Sequence, residues 1–87
     1  MFNKLKQVKD LRDKAKTLQS MLAEEKVEGS AAWGKVKVRM DGNQSVLGVD
    51  VDPELLKESE QKKLQDALKD AFNDAAKKAQ RKMVDRM

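Results

Sequence analysis

Hydrophobic and polar residues alternate in the middle of the chain, whereas the segments on either side have a helical period. From Gly34 to Pro53 the sequence reads GKVKVRMDGNQSVLGVDVDP, with apolar residues at every second position in two runs. A period of two is typical of β-strands with one buried face. Gly42-Asn43 separates the runs and suits a two-residue hairpin loop with glycine at its first central position, as in a type II′ turn. We therefore predict an antiparallel hairpin over residues 34–52.

This loop sets the register of the predicted hairpin. It pairs Val38 with Leu47, Val36 with Val49, Gly34 with Val51, and Lys35 with Asp50. The paired apolar residues then share one face of the hairpin. The other face contains Lys35, Lys37, Arg39, Val46, Asp50 and Asp52. A sheet with one apolar face has to bury it, and the two flanking segments are the material available.

The segment before the hairpin is predicted to be one long amphipathic helix over residues 3–25. Its apolar residues recur at spacings of three and four, at Leu5, Val8, Leu11, Ala15, Leu18 and Leu22. Beyond this helix, Val27 and Gly29 indicate a short edge strand near residues 27–29, followed by a loop of small residues.

The segment after the hairpin is predicted to be a short turn and a second long helix. Asp52 suits an N-cap and Pro53 a first helical position, in a turn that would place Leu55 and Leu56 under the sheet. Ser59 is the expected cap of a helix from about residue 60 toward residue 87. Its apolar stripe is Leu64, Leu68, Ala71, Phe72, Ala75, Ala76, Ala79 and Met83. The small residues at 71, 75 and 79 indicate a seam for close approach of another helix, from the same chain or a second one.

These elements predict a single α+β domain over residues 1–87, with a long helix, a small antiparallel sheet and a second long helix. The chain has no Cys and no His, which excludes disulfides, thiol nucleophiles and the commonest general base and metal ligand. Asp50 and Asp52 share a strand face that could hold Mg²⁺, but cross-strand cations are nearer partners, so an exposed ion-pair face is the preferred interpretation. We expect no enzyme activity, cofactor, metal or small-molecule substrate.

The distribution of apolar and charged residues also bears on location and partners. No apolar run approaches the length of a membrane span, and MFNKLKQ leads directly into the amphipathic pattern. A cytoplasmic protein without a membrane partner is expected. The net charge is +4, with 19 Lys and Arg against 15 Asp and Glu, and the excess lies on the helices.

Basic residues concentrate near the two ends of the chain. Both helices are long enough to outreach a short hairpin, so these ends are predicted to be the free tips of two arms. Candidate DNA-binding residues are Lys4, Lys6 and Lys9 in the first helix and Lys77, Lys78, Arg81, Lys82 and Arg86 in the second. Lysines outnumber arginines fifteen to four, which favours phosphate contacts over base reading. The alternative for the second group is a solvated helix end in which cations complement the helix dipole.

Several segments, in a fixed order over nearly the whole chain, match a known family. They are Val27-Glu28-Gly29, Gly34-Lys35-Val36-Lys37-Val38, Gly42, Val49-Asp50-Val51-Asp52-Pro53 with Leu55-Leu56, and Ala71-Phe72-Asn73-Asp74-Ala75. With them the chain resembles the YbaB/EbfC family of bacterial nucleoid-associated proteins. The resemblance implies an α-β-α protomer, a tweezer-like homodimer formed through the sheet, and helical arms that bind double-stranded DNA with low sequence preference. It further implies a role in nucleoid organisation and transcription. Ala32-Trp33 depart from the pattern, since the family usually has small residues there.

The dimer interface is predicted to contain Trp33, Val36, Val38, Leu47 and Val49. Trp33 is better interpreted as an apolar anchor than as a platform for base stacking. Recognition of single strands is less favoured, because the chain has only three aromatic residues, Phe2, Trp33 and Phe72. A second hypothesis remains open, namely a prefoldin-like helical clamp or coiled-coil scaffold for protein partners.

Overall fold

Two long helices and a three-stranded antiparallel sheet make up the protein. The structure, a computed structural model, describes the backbone of residues 2–86 and the side chains of residues 7–86. The elements are α1 (Phe2–Glu24), β1 (Lys26–Ala31), β2 (Val36–Asp41), β3 (Val46–Val51) and α2 (Gln61–Arg86), and the strand order is β1-β2-β3. The α+β prediction is confirmed, and the edge strand predicted near residues 27–29 is β1.

The core lies between α2 and one face of the sheet. It contains Val36, Val38 and Met40 from β2, Leu55, and the alanines at 67, 71, 75 and 79 of α2. The helix contacts β1 and β2, whereas three apolar side chains of β3, Val46, Leu47 and Val49, remain about half exposed. One helix therefore covers two of the three strands and leaves the third open.

The alanines of α2 face a strand and not another helix. A Cβ added to Gly29 in β1 would overlap the carbonyl oxygen of Ala71 and the backbone nitrogen of Ala75. Such an approach requires small residues on both elements, because any larger side chain would hold the backbones apart. The prediction of a helix–helix seam was wrong, since the same small residues serve contact with the chain's own sheet.

Helix α1 extends away from the sheet and does not help to cover it. Leu22 is buried at its C-terminal end, but Val8 and Leu11 on the same stripe are exposed. The molecule is correspondingly long and thin, at 64 × 21 × 15 Å. Of the two helices available to cover the sheet, only α2 does so, because its alanine-rich face is sufficient for β1 and β2.

The hairpin has a register two residues away from the predicted one. The structure pairs Val36 with Val51 and Val38 with Val49, and it has an irregularity after Arg39, where Met40 pairs with Val46. One residue of the shift comes from the loop, which contains Gln44 in addition to the two predicted residues, and the other comes from a bulge. From Val36 to Arg39 the two shifts add up to two residues, an even number, so the side chains keep their predicted faces. Beyond the bulge only the shift from the loop applies, and Val46, predicted on the charged face, lies opposite the buried Met40.

Asp41 shapes the longer loop. Its Oδ1 accepts hydrogen bonds from the backbone N–H groups of Asn43 at 2.9 Å and Ser45 at 3.0 Å, and Gln44 adopts a left-handed φ of 65°. Glycine at position 42 is needed for close packing against α1 and not for the predicted type II′ turn. A Cβ there would lie 2.8 Å from the carbonyl oxygen of Leu22. The N–H of Gly42 donates to the carbonyl oxygen of Leu22 at 2.9 Å, so the glycine admits the end of α1.

The connection from β3 to α2 consists of two short 3₁₀ turns, Pro53–Leu56 and Glu58–Glu60. Asp52 caps the first, accepting the Glu54 N–H at 2.9 Å, as predicted. Leu55 is buried under the sheet, but Leu56 is 65% exposed, because a single 3₁₀ turn directs neighbouring side chains to different sides. Ser59 lies within the second turn and is not the N-cap of α2.

Candidate nucleic-acid interface

The C-terminal part of α2 presents most of the predicted DNA-binding residues. Ala75 and Ala79 face the sheet and are buried, which directs the intervening side chains outward. All five predicted cations there are exposed, and they span about 14 Å of helix. We call Lys77, Lys78, Arg81, Lys82 and Arg86 the α2 cationic cluster.

One member of the cluster closes the outer edge of the sheet. The Nζ of Lys78 donates to the backbone carbonyl of Glu28 at 2.8 Å and lies 3.3 Å from Oδ2 of Asp74. Oδ2 of Asp74 in turn accepts the backbone N–H of Ser30 at 3.1 Å. The Ser30 hydrogen bond, assisted by Lys78, holds the pKa of the Asp74 carboxyl below its ordinary value. The backbone carbonyl of Glu28 and the backbone N–H of Ser30, both on the outer edge of β1, therefore already have hydrogen-bond partners.

Two other members contact the base of α1 through Glu25. Nε of Arg86 donates to Oε1 of Glu25 at 3.0 Å, and Nζ of Lys82 lies 3.8 Å from Oε2. The hydrogen bond from Arg86 keeps the pKa of Glu25 below its ordinary value, against the opposing effect of desolvation. The end of α2 is thus attached to the body of the protein. The prediction of two free basic tips was wrong, because α1 alone projects.

Lys77 and Arg81 differ from the rest of the cluster. Both are exposed, and neither forms an ion pair with any residue in the described ranges. An anion that binds Lys77 or Arg81 would therefore break no ion pair among the described residues, whereas Lys78, Lys82 and Arg86 each have one.

The predicted cations of the first helix lie apart from the cluster. Lys4 and Lys6 belong to α1, but their side chains lie outside the described residues, while Lys9 is exposed. Along α1, Lys9 is about 24 Å from Glu25. Sequence reasoning overlooked three further exposed cations on the same helix, Arg12, Lys14 and Lys16, which a residue-by-residue charge map of the helix would have revealed. Among the described side chains of one chain, Lys9 and the α2 cationic cluster do not form one continuous site.

The predicted dimer-interface residues fall into two groups. Val36 and Val38 are 0% and 2% exposed beneath α2, so they belong to the protomer's own core and present no surface to a second copy. Leu47 and Val49 are about half exposed, and Trp33 is fully exposed. Trp33 lies in the β1–β2 turn with a left-handed φ of 60°, which side chains of its size seldom adopt.

Phe72 is an exposed apolar residue that the interface prediction overlooked. Its side chain is about half exposed on α2. The sequence placed it on the buried stripe of that helix, and no local signal separated it from the alanines that do face the sheet. Only the position of α2 over β1 and β2 leaves this flank of the helix open.

The charged face of the sheet carries ion pairs. Arg39 lies 3.7 Å from Asp50, and the residues described here include no group of three or more His, Cys, Asp or Glu placed to hold a metal ion. Lys35 does not pair with Asp50 as predicted, because the register places Lys37 there. The ammonium group of Lys35 instead donates to Oε2 of Glu54 at 2.9 Å, and this hydrogen bond raises the pKa of Lys35.

Comparison with known proteins identifies similar sequences over nearly the whole chain. A family model described as the YbaB/EbfC DNA-binding family matches residues 1–87. A nucleoid-associated protein of Rhodopseudomonas palustris strain TIE-1 is 40% identical over 83 residues, covering 95% of this chain and 78% of that protein. A nucleoid-associated protein of Gloeobacter violaceus is 46% identical over 57 residues, covering 66% of this chain and 51% of that protein.

The fold is also similar to that of a solved structure. The crystal structure of an uncharacterised protein from Helicobacter pylori superposes with a TM-score of 0.73 at 18% identity and covers 90% of each chain. At this identity the likeness concerns the fold alone. Across residues 2–86, no helix is long and apolar enough to cross a membrane.

Proposed function

The chain belongs to the YbaB/EbfC DNA-binding family, and on this premise we propose that it binds double-stranded DNA as a homodimer, mainly through phosphates. The family is one of DNA-binding proteins and not of enzymes. The names of its relatives associate them with the nucleoid, and we extend that association, with nucleoid organisation and an influence on transcription, to this chain.

The α2 cationic cluster is the observation that carries the proposal. It places five exposed cations on about 14 Å of one helix. B-DNA carries one phosphate charge per about 1.7 Å of its axis, so a helix segment of this length can face several phosphates at once. Lys77 and Arg81 have no competing ion pair among the described residues, which favours them as first contacts.

The composition of the candidate interface supports low sequence specificity. Direct base reading uses mainly Arg, Asn and Gln in the grooves, whereas Lys meets phosphate as a point charge. The predicted contacts comprise six lysines and two arginines, and one of those arginines, Arg86, is engaged by Glu25. We expect affinity that depends steeply on salt and little on sequence.

An open strand edge supports a homodimer. Asp74 and Lys78 pair with the outer backbone groups of β1, whereas β3 is the other edge of the sheet and its apolar side chains are half exposed. Unpaired edges with apolar side chains are templates for another strand. We infer that a second copy docks at β3 by a twofold, self-complementary contact that includes Leu47, Val49 and Phe72.

The exposed stripe of α1 fits the same dimer. Val8 and Leu11 are large apolar residues without a partner in the described part of the protomer. In a twofold assembly, contact between this stripe and a second copy would fix the direction of each arm. It would also bring the cations Lys4, Lys6 and Lys9 into a defined position relative to the α2 cationic cluster of the assembly.

Charge reversal tests the assignment of the cluster. Lys78→Glu, Arg81→Glu and Lys82→Glu in one protein should weaken duplex binding at least about 10-fold and lower the log–log salt slope by about 2 to 3, because each lost phosphate contact removes about 0.9. The measurement is fluorescence anisotropy with several unrelated duplexes over a range of salt concentrations. The matched control reverses three lysines in the first half of the same helix, Lys62→Glu, Lys63→Glu and Lys69→Glu, which gives the same change in net charge.

The control should lose much less affinity than the cluster variant. Equal losses would mean that net charge alone matters and would refute the assignment of the cluster. A parallel variant, Lys4→Glu, Lys6→Glu and Lys9→Glu, tests the contribution of the α1 arm in the same assay. Circular dichroism should show unchanged helix content in all three proteins.

A further inference from the structure

We propose that Glu25 is an internal competitor for DNA phosphate, an autoinhibitory carboxylate that occupies two cations of the α2 cationic cluster. The inference rests on the proposed function, since it concerns the affinity of the same cluster. It assigns Glu25 a regulatory role that goes beyond DNA binding itself.

The geometry of Glu25 resembles that of a bound oxyanion. Its carboxylate accepts from Nε and Nη2 of Arg86 and lies 3.8 Å from Nζ of Lys82. Two guanidinium nitrogens and one ammonium group are the donors that proteins commonly direct at phosphate oxygens. A phosphate that used these donors would therefore have to displace the carboxylate.

Two backbone hydrogen bonds and partial burial of the side chain restrict Glu25. The Glu25 N–H donates to the carbonyl of Leu22 at 3.1 Å, and the Glu25 carbonyl accepts the N–H of Gly42 at 2.9 Å. The side chain is 22% exposed, against 43% for Arg86 and 46% for Lys82. A fixed carboxylate has little rotational freedom left to lose, so it competes better than a mobile surface residue would.

The other carboxylates near the cluster have different roles. Asp74 lies on α2 beside Lys78, but the N–H of Ser30 holds it at the edge of β1. Asp85 on α2 has no ion pair among the described residues. Glu25 is distinct because it comes from the end of α1 and contacts two cluster members at once.

Displacement of Glu25 would also release the link between α1 and α2. Arg86 and Lys82 contact the base of the arm through this carboxylate, so a phosphate that occupies them leaves the arm with fewer polar contacts to α2. DNA binding and the position of α1 are then coupled, and by linkage a change that loosens the contact favours binding.

The test compares Glu25→Gln with Glu24→Gln. Both variants remove one negative charge, and Glu24 is an exposed neighbour without an ion pair among the described residues. Glu25→Gln should bind a mixed-sequence duplex about 5-fold or more tightly, at the lower end of typical coupling strengths. Its log–log salt slope should change by less than about 1, because the duplex contacts Arg86 and Lys82 in both proteins once Glu25 is displaced. Glu24→Gln should change the dissociation constant less than about 2-fold.

Two further measurements keep the inference separate from stability and from the proposed function. In a background of Lys82→Gln and Arg86→Gln, the effect of Glu25→Gln should disappear. In the unmodified protein, carboxyl NMR should show the pKa of Glu25 rising when a duplex binds, because the carboxylate loses Arg86. Equal effects of the two Glu→Gln variants, or an unchanged Glu25 pKa in the complex, would overturn this inference and leave DNA binding intact. Absence of duplex binding by the unmodified protein would overturn the proposed function as well.

Discussion

Two glycines lie where the backbone of another element leaves no room for a side chain. A Cβ on Gly29 would overlap the backbone of α2 at Ala71 and Ala75, and one on Gly42 would lie 2.8 Å from the carbonyl oxygen of Leu22. The first approach joins β1 to α2, and the second joins the β2–β3 loop to α1. At the scale of single residues, the absence of a side chain at these positions determines how closely the elements pack.

Gly29→Ala should destabilise the protein by about 2 kcal/mol or more, since the neighbouring atoms are backbone and a real Cβ requires the helix to move. Gly48→Ala is the matched control in the same sheet. There the added Cβ would meet the end of the Arg39 side chain, which can swing away, so a change within about 1 kcal/mol is expected. Urea unfolding at one fixed protein concentration measures both. Similar destabilisation by the two substitutions would show that the contact with α2 is not the cause.

At the scale of elements, the two edges of the sheet differ in their hydrogen bonds to α2. Side chains of α2 pair with backbone groups of β1, and the end of α2 is attached to α1 through Glu25. Among the described residues, no side-chain hydrogen bond joins α2 to β3. The helix therefore closes one edge, covers the middle strand and leaves the other edge open.

The ion pairs that attach α2 predict a specific dependence of stability on pH. The folded-state pKa values of Glu25 and Asp74 are both lowered, so their contribution is present above the ordinary carboxylate pKa of about 4 and is lost as the pH falls through the lowered values. The chain has no His, so stability should be nearly constant from about pH 6 to 8. Thermal unfolding from pH 7 down to pH 3 checks this.

Asp74→Asn should reduce the acid-induced loss of stability, because its carboxylate no longer has to be protonated. Asp70→Asn, an exposed site four residues earlier on the same helix, is the control and should leave the profile nearly unchanged. An Asp74→Asn protein with the full acid-induced loss would show that the contact to Ser30 contributes nothing to this dependence.

At the scale of the whole molecule, a thin protomer carries an arm and an open apolar face. Large apolar side chains are exposed on three elements, namely Val8 and Leu11 on α1, Leu47 and Val49 on β3, and Phe72 on α2. A second copy offers the simplest cover, and a twofold dimer would present two α2 cationic clusters to one duplex.

Phe72→Glu should shift the protein from dimer to monomer at micromolar concentration, because a carboxylate would be buried without a partner in the interface. Leu56→Glu is the control, since Leu56 is also an exposed apolar residue but lies in the turn before α2. Sedimentation velocity over a range of concentrations measures the equilibrium. The single tryptophan, Trp33, gives a second readout, because its emission should shift to shorter wavelength on dimerisation if the interface covers it. A dimer that persists in Phe72→Glu would contradict the interface proposed at β3.

Local patterns were enough to predict the elements and their order. The period of two identified the hairpin, the period of 3.6 identified both helices, and Asp52-Pro53 identified the start of the turn after β3. The apolar and charged faces of the hairpin were also correct except at Val46, because the longer loop and the bulge together shift most of the strand by two residues. The charge map likewise located the α2 cationic cluster, whose side chains are all exposed.

Contacts between distant elements were not predictable from these patterns. Periodicity shows that Ala71 and Ala75 share a face, but it does not show that Gly29 of β1 lies against them. It shows that α1 is amphipathic, but not that α2 alone covers the sheet and leaves the α1 stripe open. The hydrogen bond from Arg86 to Glu25 joins residues far apart in sequence. It fixes the C-terminal end of α2, which was predicted to be a free tip. Such pairings depend on how closely whole elements approach in space, and a one-dimensional pattern carries no information about that distance.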